Sequence, residues 1–189
     1  MKRLVVKEYG LSQQERLRLD GAAAFAAIFD QYQVRIYRYL RSLVGESVLA
    51  EDLAQDTFVK AYKALSQTPP PDNLNAWLYA IATNTALSAL RRRKLVAWLP
   101  LQASIEASER ACSDDHETAA GEQEAIRQAM AALPKADAAC LLLRFQHDLS
   151  YDELARVLGT SVPAAKMRLS RARAAFREVY LRQNQEAQA

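Results

Sequence analysis

The sequence predicts an all-α protein built as two helical domains joined by a flexible acidic linker. Three observations carry that prediction. Gly and Pro number only 5 and 6 in 189 residues, while the helix-favouring Ala, Leu, Arg, Glu and Gln are abundant. Apolar residues recur at three- and four-residue spacing, and Val and Ile never gather into alternating runs. Between the periodic stretches lies a polar, acidic segment with little periodicity.

Each element has its own signal. Residues 1–19 mix charge and aliphatics without a period and read as a loosely ordered lead-in. Asp20 is placed to cap a first helix reaching Val44, with Gly45 past its end. Phe25, Ile28, Phe29, Tyr32, Ile36, Tyr39, Leu40 and Leu43 give that helix one apolar face. Ser47 is placed to cap a second helix running to about Ser66, stopped by Pro69-Pro70-Pro71. A third helix is expected over about Ala76 to Lys94, with Leu78, Ile81, Ala82, Thr85 and Leu90 inward and a basic end, Arg91-Arg92-Arg93-Lys94. These helices make a domain over residues 20–95, followed by the linker, 96–118. A second domain is expected over 119–182 and a short tail over 183–189. Its helices are one through Leu133, closed by Pro134, one over Lys135 to Gln146, and a helix-turn-helix.

The helix-turn-helix is the most sharply marked unit. Ser150 and Glu153 fit a capping box, Gly159 can take the left-handed conformation that ends a helix, and Ser161 with Pro163 opens the next one. One face of that last helix is apolar (Val162, Ala165, Leu169, Ala172, Phe176); the other holds Pro163, Ala164, Lys166, Met167, Arg168, Ser170 and Arg171. An α-helix fits the major groove of DNA, where Lys or Arg grips phosphates or guanine edges. The plainer reading is a solvated basic helix; the ordered cap, turn and one-sided charge favour DNA.

The charge is segregated around a net of +3. Seven acidic residues against one basic lie between Gln102 and Glu124, and six basic against one acidic between Ser161 and Arg182. In the second helix Asp52, Gln55 and Asp56 share one face. Phosphate would repel it, so its partner is a basic protein surface or, more simply, solvent. Trp77 and Tyr79 open the third helix, and Thr83 and Asn84 are expected on its exposed side ahead of the arginines. Aromatics stack on unpaired bases and amides bond base edges; Trp77 is equally suited to the core.

Cys112, Cys140, His116 and His147 match no common ligand pattern, so no metal or cofactor is expected. Two cysteines give no disulfide framework. With no signal peptide or long apolar run, the chain is expected to be soluble, cytoplasmic and without a membrane insertion.

Three blocks together carry a family resemblance: AEDLAQDTFVKAY, NAWLYAIATNTALSALRRRK and ALPKADAACLLLRFQHDLSYDELARVLGTSVPAAKMRLSRAR. In this order, and separated by a linker, they resemble regions 2.2, 2.3–2.4 and 4 of bacterial RNA polymerase sigma factors of the extracytoplasmic function (ECF) type. The similarity spans about Ala22 to Arg177. It implies that Glu51, Asp52, Gln55, Asp56 and Val59 dock on the β′ clamp of core RNA polymerase. It implies that Lys63, Asp72, Asn73, Asn75, Trp77, Tyr79, Thr83, Asn84, Arg91 and Arg92 meet the promoter −10 element as it opens. It further implies that Ser161, Pro163, Ala164, Lys166, Met167, Arg168, Arg171 and Arg173 meet the −35 element, with the second domain also touching the β flap. The acidic linker would imitate nucleic acid in polymerase channels, unless it is only a solubilising tether. An anti-sigma factor is expected by the same resemblance.

The chain departs from the family habit at Thr83, where Arg is common, at Ser88, where Asp is common, and at Pro163-Ala164, where a glycine-threonine pair is common. Promoter specificity at those positions must then rest on apolar contact or DNA shape. Two alternatives stay open at this point. A conventional helix-turn-helix regulator would leave the Asp52 face and the Arg91 cluster without a role. A nucleic-acid enzyme needs convergent acid–base groups, metal ligands or a phosphate loop, and the sequence offers none.

Overall fold

The computed structural model describes the backbone of residues 13–68, 71–96 and 117–186, with side chains over 25–68, 71–95, 121–183 and 185. Among these residues every regular element is a helix: α1 Gln13–Val44, α2 Ser47–Leu65, α3 Leu74–Val96, α4 Glu117–Ala132, α5 Lys135–Leu141, α6 Tyr151–Leu158 and α7 Val162–Glu186. Most of the lead-in and the linker lies outside the described residues.

The apolar stripe of α1 does what its spacing predicts. Ile36, Tyr39, Leu40 and Leu43 are buried against Leu49, Leu53, Phe58 and Ala61 of α2 and Leu78, Ala82 and Ala86 of α3. At the open end Phe29 meets Phe58 edge-on at 4.9 Å, and Phe25 meets Tyr62 at 5.1 Å. Gly45 turns the chain with φ +85°, and its amide bonds the Arg41 carbonyl at 2.8 Å.

Several ends differ from expectation, each for a physical reason. α1 begins at Gln13, so Asp20 lies within the helix and is not its cap; residues 13–19 are rich in good helix formers. The cap position of α2 is Glu46 rather than Ser47. Its side chain makes no cap bond, because the carboxylate accepts from Arg93 Nη1 at 2.7 Å across the domain. α3 begins two residues early because Asn73 caps it, with Oδ1 accepting from the Ala76 amide at 2.9 Å. The helix expected over Lys135–Gln146 ends as α at Leu141 and widens into a π turn, Leu142–Gln146. There His147 N bonds the Leu142 carbonyl, five residues back, at 3.2 Å.

In the helix-turn-helix the local signals hold. Both bonds of the capping box form: Glu153 N donates to Ser150 Oγ at 3.2 Å, and Ser150 N donates to Glu153 Oε2 at 2.8 Å. Gly159 takes φ +61°, φ being positive where a side chain would be strained. Ser161 Oγ accepts from Ala164 N at 3.4 Å at the start of α7. Leu154, Ala155 and Val157 of α6 are buried with Ala165, Leu169 and Ala172 of α7, over Leu141, Leu143 and Leu149.

The two helical units pack on each other, α3 against α6 and α1 against the π turn. Tyr79 and Thr83, expected on an exposed face of α3, are only 2% and 1% exposed: Tyr79 lies between Tyr39 of α1 and His147 of the second unit, and Thr83 lies against Tyr39. Thr83 Oγ1 bonds Tyr39 Oη at 2.7 Å and donates to the Tyr79 carbonyl. Helical periodicity marks one buried face of α3; it does not reveal that a second domain covers another.

Candidate functional site

Three surfaces carry the candidate residues. On α2, Glu51, Asp52, Gln55, Asp56 and Val59 are all exposed along one side. The inward residues Leu53, Thr57 and Phe58 fix that side outward, and Thr57 Oγ1 satisfies itself on the Leu53 carbonyl at 2.7 Å. None of the carboxylates Glu51, Asp52 or Asp56 has an ion-pair partner among the described residues. Next to them an apolar groove of about 370 Å³ runs between α1 and α2, lined by Phe29, Val34, Tyr37, Ala54 and Phe58 and rimmed by Glu51 and Gln55. This groove is not among the expected surfaces. Its signal was present in the surplus of apolar residues on α1: Phe29 and Val34 are 37% and 52% exposed.

The second surface is the outer side of α3 with the loop before it. Trp77, Ile81, Asn84 and Ser88 fall on one helical stripe and face Lys60 and Ala64 of α2 across an open groove of about 410 Å³. Lys60 Nζ donates to Thr85 Oγ1 at 2.9 Å, which holds the ammonium over the groove. Trp77 and Asn84 are thus brought together, whereas Tyr79 and Thr83 point to the other side of the helix. The other lining residues, Lys60, Ala64, Ile81, Thr85 and Ser88, are not among the expected site residues. Lys63 and Asp72 are exposed nearby, and Asn73 and Asn75 are half-buried. Arg91 and Arg92 are exposed at the end of α3, where Arg91 reaches back to the Leu87 carbonyl.

The third surface is the outer side of α7. Ser161, Pro163, Ala164, Lys166, Met167, Arg171 and Arg173 are exposed, and Arg168 is half-exposed. The cations are not equivalent. Arg168 Nε lies 3.6 Å from Asp137 Oδ1, Lys166 sits 5.1 Å over the Tyr151 ring, and Arg173 sits 5.7 Å over Phe145. Arg171 has no such partner among the described residues.

The titratable groups inside are shifted by burial. Burial pushes the Cys140 thiol up to about 11 and Tyr79 up to about 12. His147 lies between Tyr39 and Tyr79, and burial pushes its imidazole down to about 4. Cys112 and His116 lie outside the described residues. No helix among the described residues is long and apolar enough to cross a membrane.

Comparison with known proteins bears on the two helical units. The Sigma-70 region 2 model matches residues 28–96, and the Sigma-70, region 4 model matches residues 123–176. The chain is 27% identical to the ECF RNA polymerase sigma factor SigW of Bacillus subtilis, over 82% of this chain and 88% of that protein. It is 30% identical to the RNA polymerase sigma-H factor of Pseudomonas aeruginosa, over 92% of this chain and 94% of that one. Among solved structures, the sigma factor RpoE in complex with the anti-sigma factor NepR from Bartonella quintana aligns with a TM-score of 0.65 at 24% identity, covering 82% of this chain and 96% of that one. That last likeness bears on the fold. Matches to both regions, in order, do not favour the alternative of a conventional helix-turn-helix regulator. The chain belongs to the sigma-70 family of RNA polymerase sigma factors and is a sigma factor of the ECF type.

Proposed function

We propose that the three surfaces divide the work of initiation among them. The α2 face of Glu51, Asp52, Gln55, Asp56 and Val59 binds core RNA polymerase at the β′ clamp. Its carboxylates have no partner within the described chain, which suits a basic protein surface. The outer side of α7, led by Arg171, reads the −35 element, while the second domain touches the β flap. The loop Asp72 to Asn75 and the outer side of α3 meet the −10 element, with Arg91 and Arg92 on the backbone.

The observation that carries this reading is the α2–α3 groove. An indole, an amide and a tethered ammonium converge on one open cleft of about 410 Å³. Trp77 offers a stacking face, Asn84 bonds a base edge, and Lys60 neutralises a phosphate. Taking a base out of the duplex costs a few kcal/mol, so a groove that accepts it favours the opened strand. This moves the capture site from Tyr79 and Thr83 to Lys60, Trp77, Ile81, Asn84 and Ser88. The role is positional and non-catalytic, and it is carried out in the cytoplasm, where polymerase and DNA are.

An anti-sigma partner is part of the proposal. RpoE, whose fold is similar, is held by an anti-sigma factor. The apolar groove of Phe29, Val34 and Phe58 adjoins the polymerase face, so a helix seated there would exclude core. The test of the central reading is open-complex formation with core polymerase on a promoter fragment selected from the host genome. Trp77→Ala and Asn84→Ala should reduce strand opening, read by permanganate reactivity of unpaired thymines, while core binding is unchanged. Equal reactivity in all three proteins would overturn the groove assignment.

A further inference from the structure

The contact between the two helical units engages the promoter-facing loop itself. Asn73 Nδ2 donates to Glu153 Oε1 at 2.9 Å, while its Oδ1 caps α3. The other carboxylate oxygen of Glu153 closes the capping box of α6. Hydrogen bonding to Asn73 lowers the Glu153 carboxyl below its ordinary value. Beside this bond, the π turn of the second unit delivers His147 to the first. His147 Nδ1 bonds Tyr79 Oη at 2.8 Å, and its ring lies edge-on to Tyr39 at 5.5 Å. Asp148, with φ +53°, turns the chain so that Leu149 drops into the core.

This arrangement is incompatible with a protein stretched along a promoter. The −35 and −10 elements are, by position, about 25 base pairs apart, or roughly 85 Å along straight DNA at about 3.4 Å per step. Val162, where α7 begins, is only nine residues along the chain from Glu153. Even fully extended, those nine residues span about 32 Å. With Glu153 hydrogen-bonded to Asn73, the start of α7 cannot lie much further than that from the −10 loop.

We propose that the Asn73 loop, with the Tyr39–Tyr79 slot beside it, is a docking site for the chain's own second domain. Glu153 and His147 are the docking residues, and Glu153 competes with nucleic acid for the Asn73 amide. Docking holds the free protein closed; undocking frees the loop and lets α7 move away to its own element. The inference rests on the assignment of the Asn73 loop to the −10 element. The docking itself can be read without DNA.

The test uses the full chain and three variants. His147→Ala empties the slot, and Glu153→Ala removes the bond to Asn73. Asp152→Asn, at the exposed neighbouring carboxylate, carries the same charge change as Glu153→Ala and leaves both Glu153 oxygens on their donors. Small-angle scattering should give a compact wild type and an Asp152→Asn protein close to it. The radius of gyration should rise by several ångströms in His147→Ala and in Glu153→Ala. Binding of a labelled random-sequence single-stranded 12-mer should tighten about tenfold from Asp152→Asn to Glu153→Ala, as the closed population falls. Extended scattering from the wild type, or unchanged scattering in His147→Ala, would overturn docking. Opened variants that bind the 12-mer no more tightly than Asp152→Asn would overturn the competition. A 12-mer bound by none of the four proteins, with scattering as expected, would overturn the −10 assignment and leave docking standing.

Discussion

The outer faces of α2 and α7 carry opposite charge and differ in how that charge is held. On α2 the carboxylates Asp52 and Asp56 are exposed and have no ion-pair partner among the described residues. On α7 three of the cations are already engaged: Arg168 with Asp137, Lys166 over Tyr151, Arg173 over Phe145. A face of unpartnered charge gains most from an external partner of opposite sign. A face whose charges are braced by neighbouring rings and carboxylates is pre-shaped, and each cation contributes less when removed.

The largest effect is therefore expected on α2. Asp52→Arg combined with Asp56→Arg should abolish binding to core polymerase, measured by co-elution, while circular dichroism and thermal unfolding stay close to wild type. Retained core affinity would remove the reading of this face. On α7, Arg171→Ala should weaken −35-dependent promoter binding by about 1–3 kcal/mol if it meets a guanine edge. If it meets phosphate, the loss should be uniform across sequences and the salt slope should fall by about one. Arg168→Ala should weaken use of −35-dependent promoters by less, because part of its interaction is the ion pair with Asp137, a half-exposed pair worth about 0–1 kcal/mol. A loss greater than that of Arg171→Ala would reverse the ranking drawn from the contacts.

How much could be read from the sequence follows from the range of the interactions. The capping box at Ser150, the Gly159 turn and the inward stripes of α1 and α7 are local, set by residues within a turn or two of each other. They appear as expected. The cap of α2 was misread because the carboxylate of Glu46 is committed to Arg93, 47 residues away. The face of α3 with Tyr79 and Thr83 was misread for the same reason on a larger scale. What buries it is Tyr39 of α1 together with His147, which the second unit brings against Tyr79 as α6 packs on α3. The π turn before His147 had no signal, since CLLLRF reads equally well as α-helix. The α2–α3 groove was half-visible: Trp77 and Asn84 stood out by chemistry, while Lys60 and Ile81 needed the packing of two helices to become neighbours.

The smallest predicted effect concerns pH and the contact between the units. His147 faces Tyr39 and Arg35 of α1 and Tyr79 of α3, with Asp148 beside it on its own loop. Burial, aided by Arg35, holds its imidazole at about 4, below the ordinary 6.5, while Asp148 opposes the shift. The docked state therefore favours the neutral ring. Its contribution is fully present above about pH 6.5 and is lost as pH falls toward 4. The wild-type radius of gyration should rise over that interval, and His147→Ala should flatten the change. A wild-type profile that tightens on acidification would have the wrong sign.

The most direct test of the account is run-off transcription by purified core polymerase, with and without this protein, on fragments selected from the host genome. The account predicts that a defined subset of fragments is transcribed only when the protein is added. It also predicts that transcription is lost with the Asp52→Arg, Asp56→Arg protein. No protein-dependent initiation on any selected fragment would contradict it.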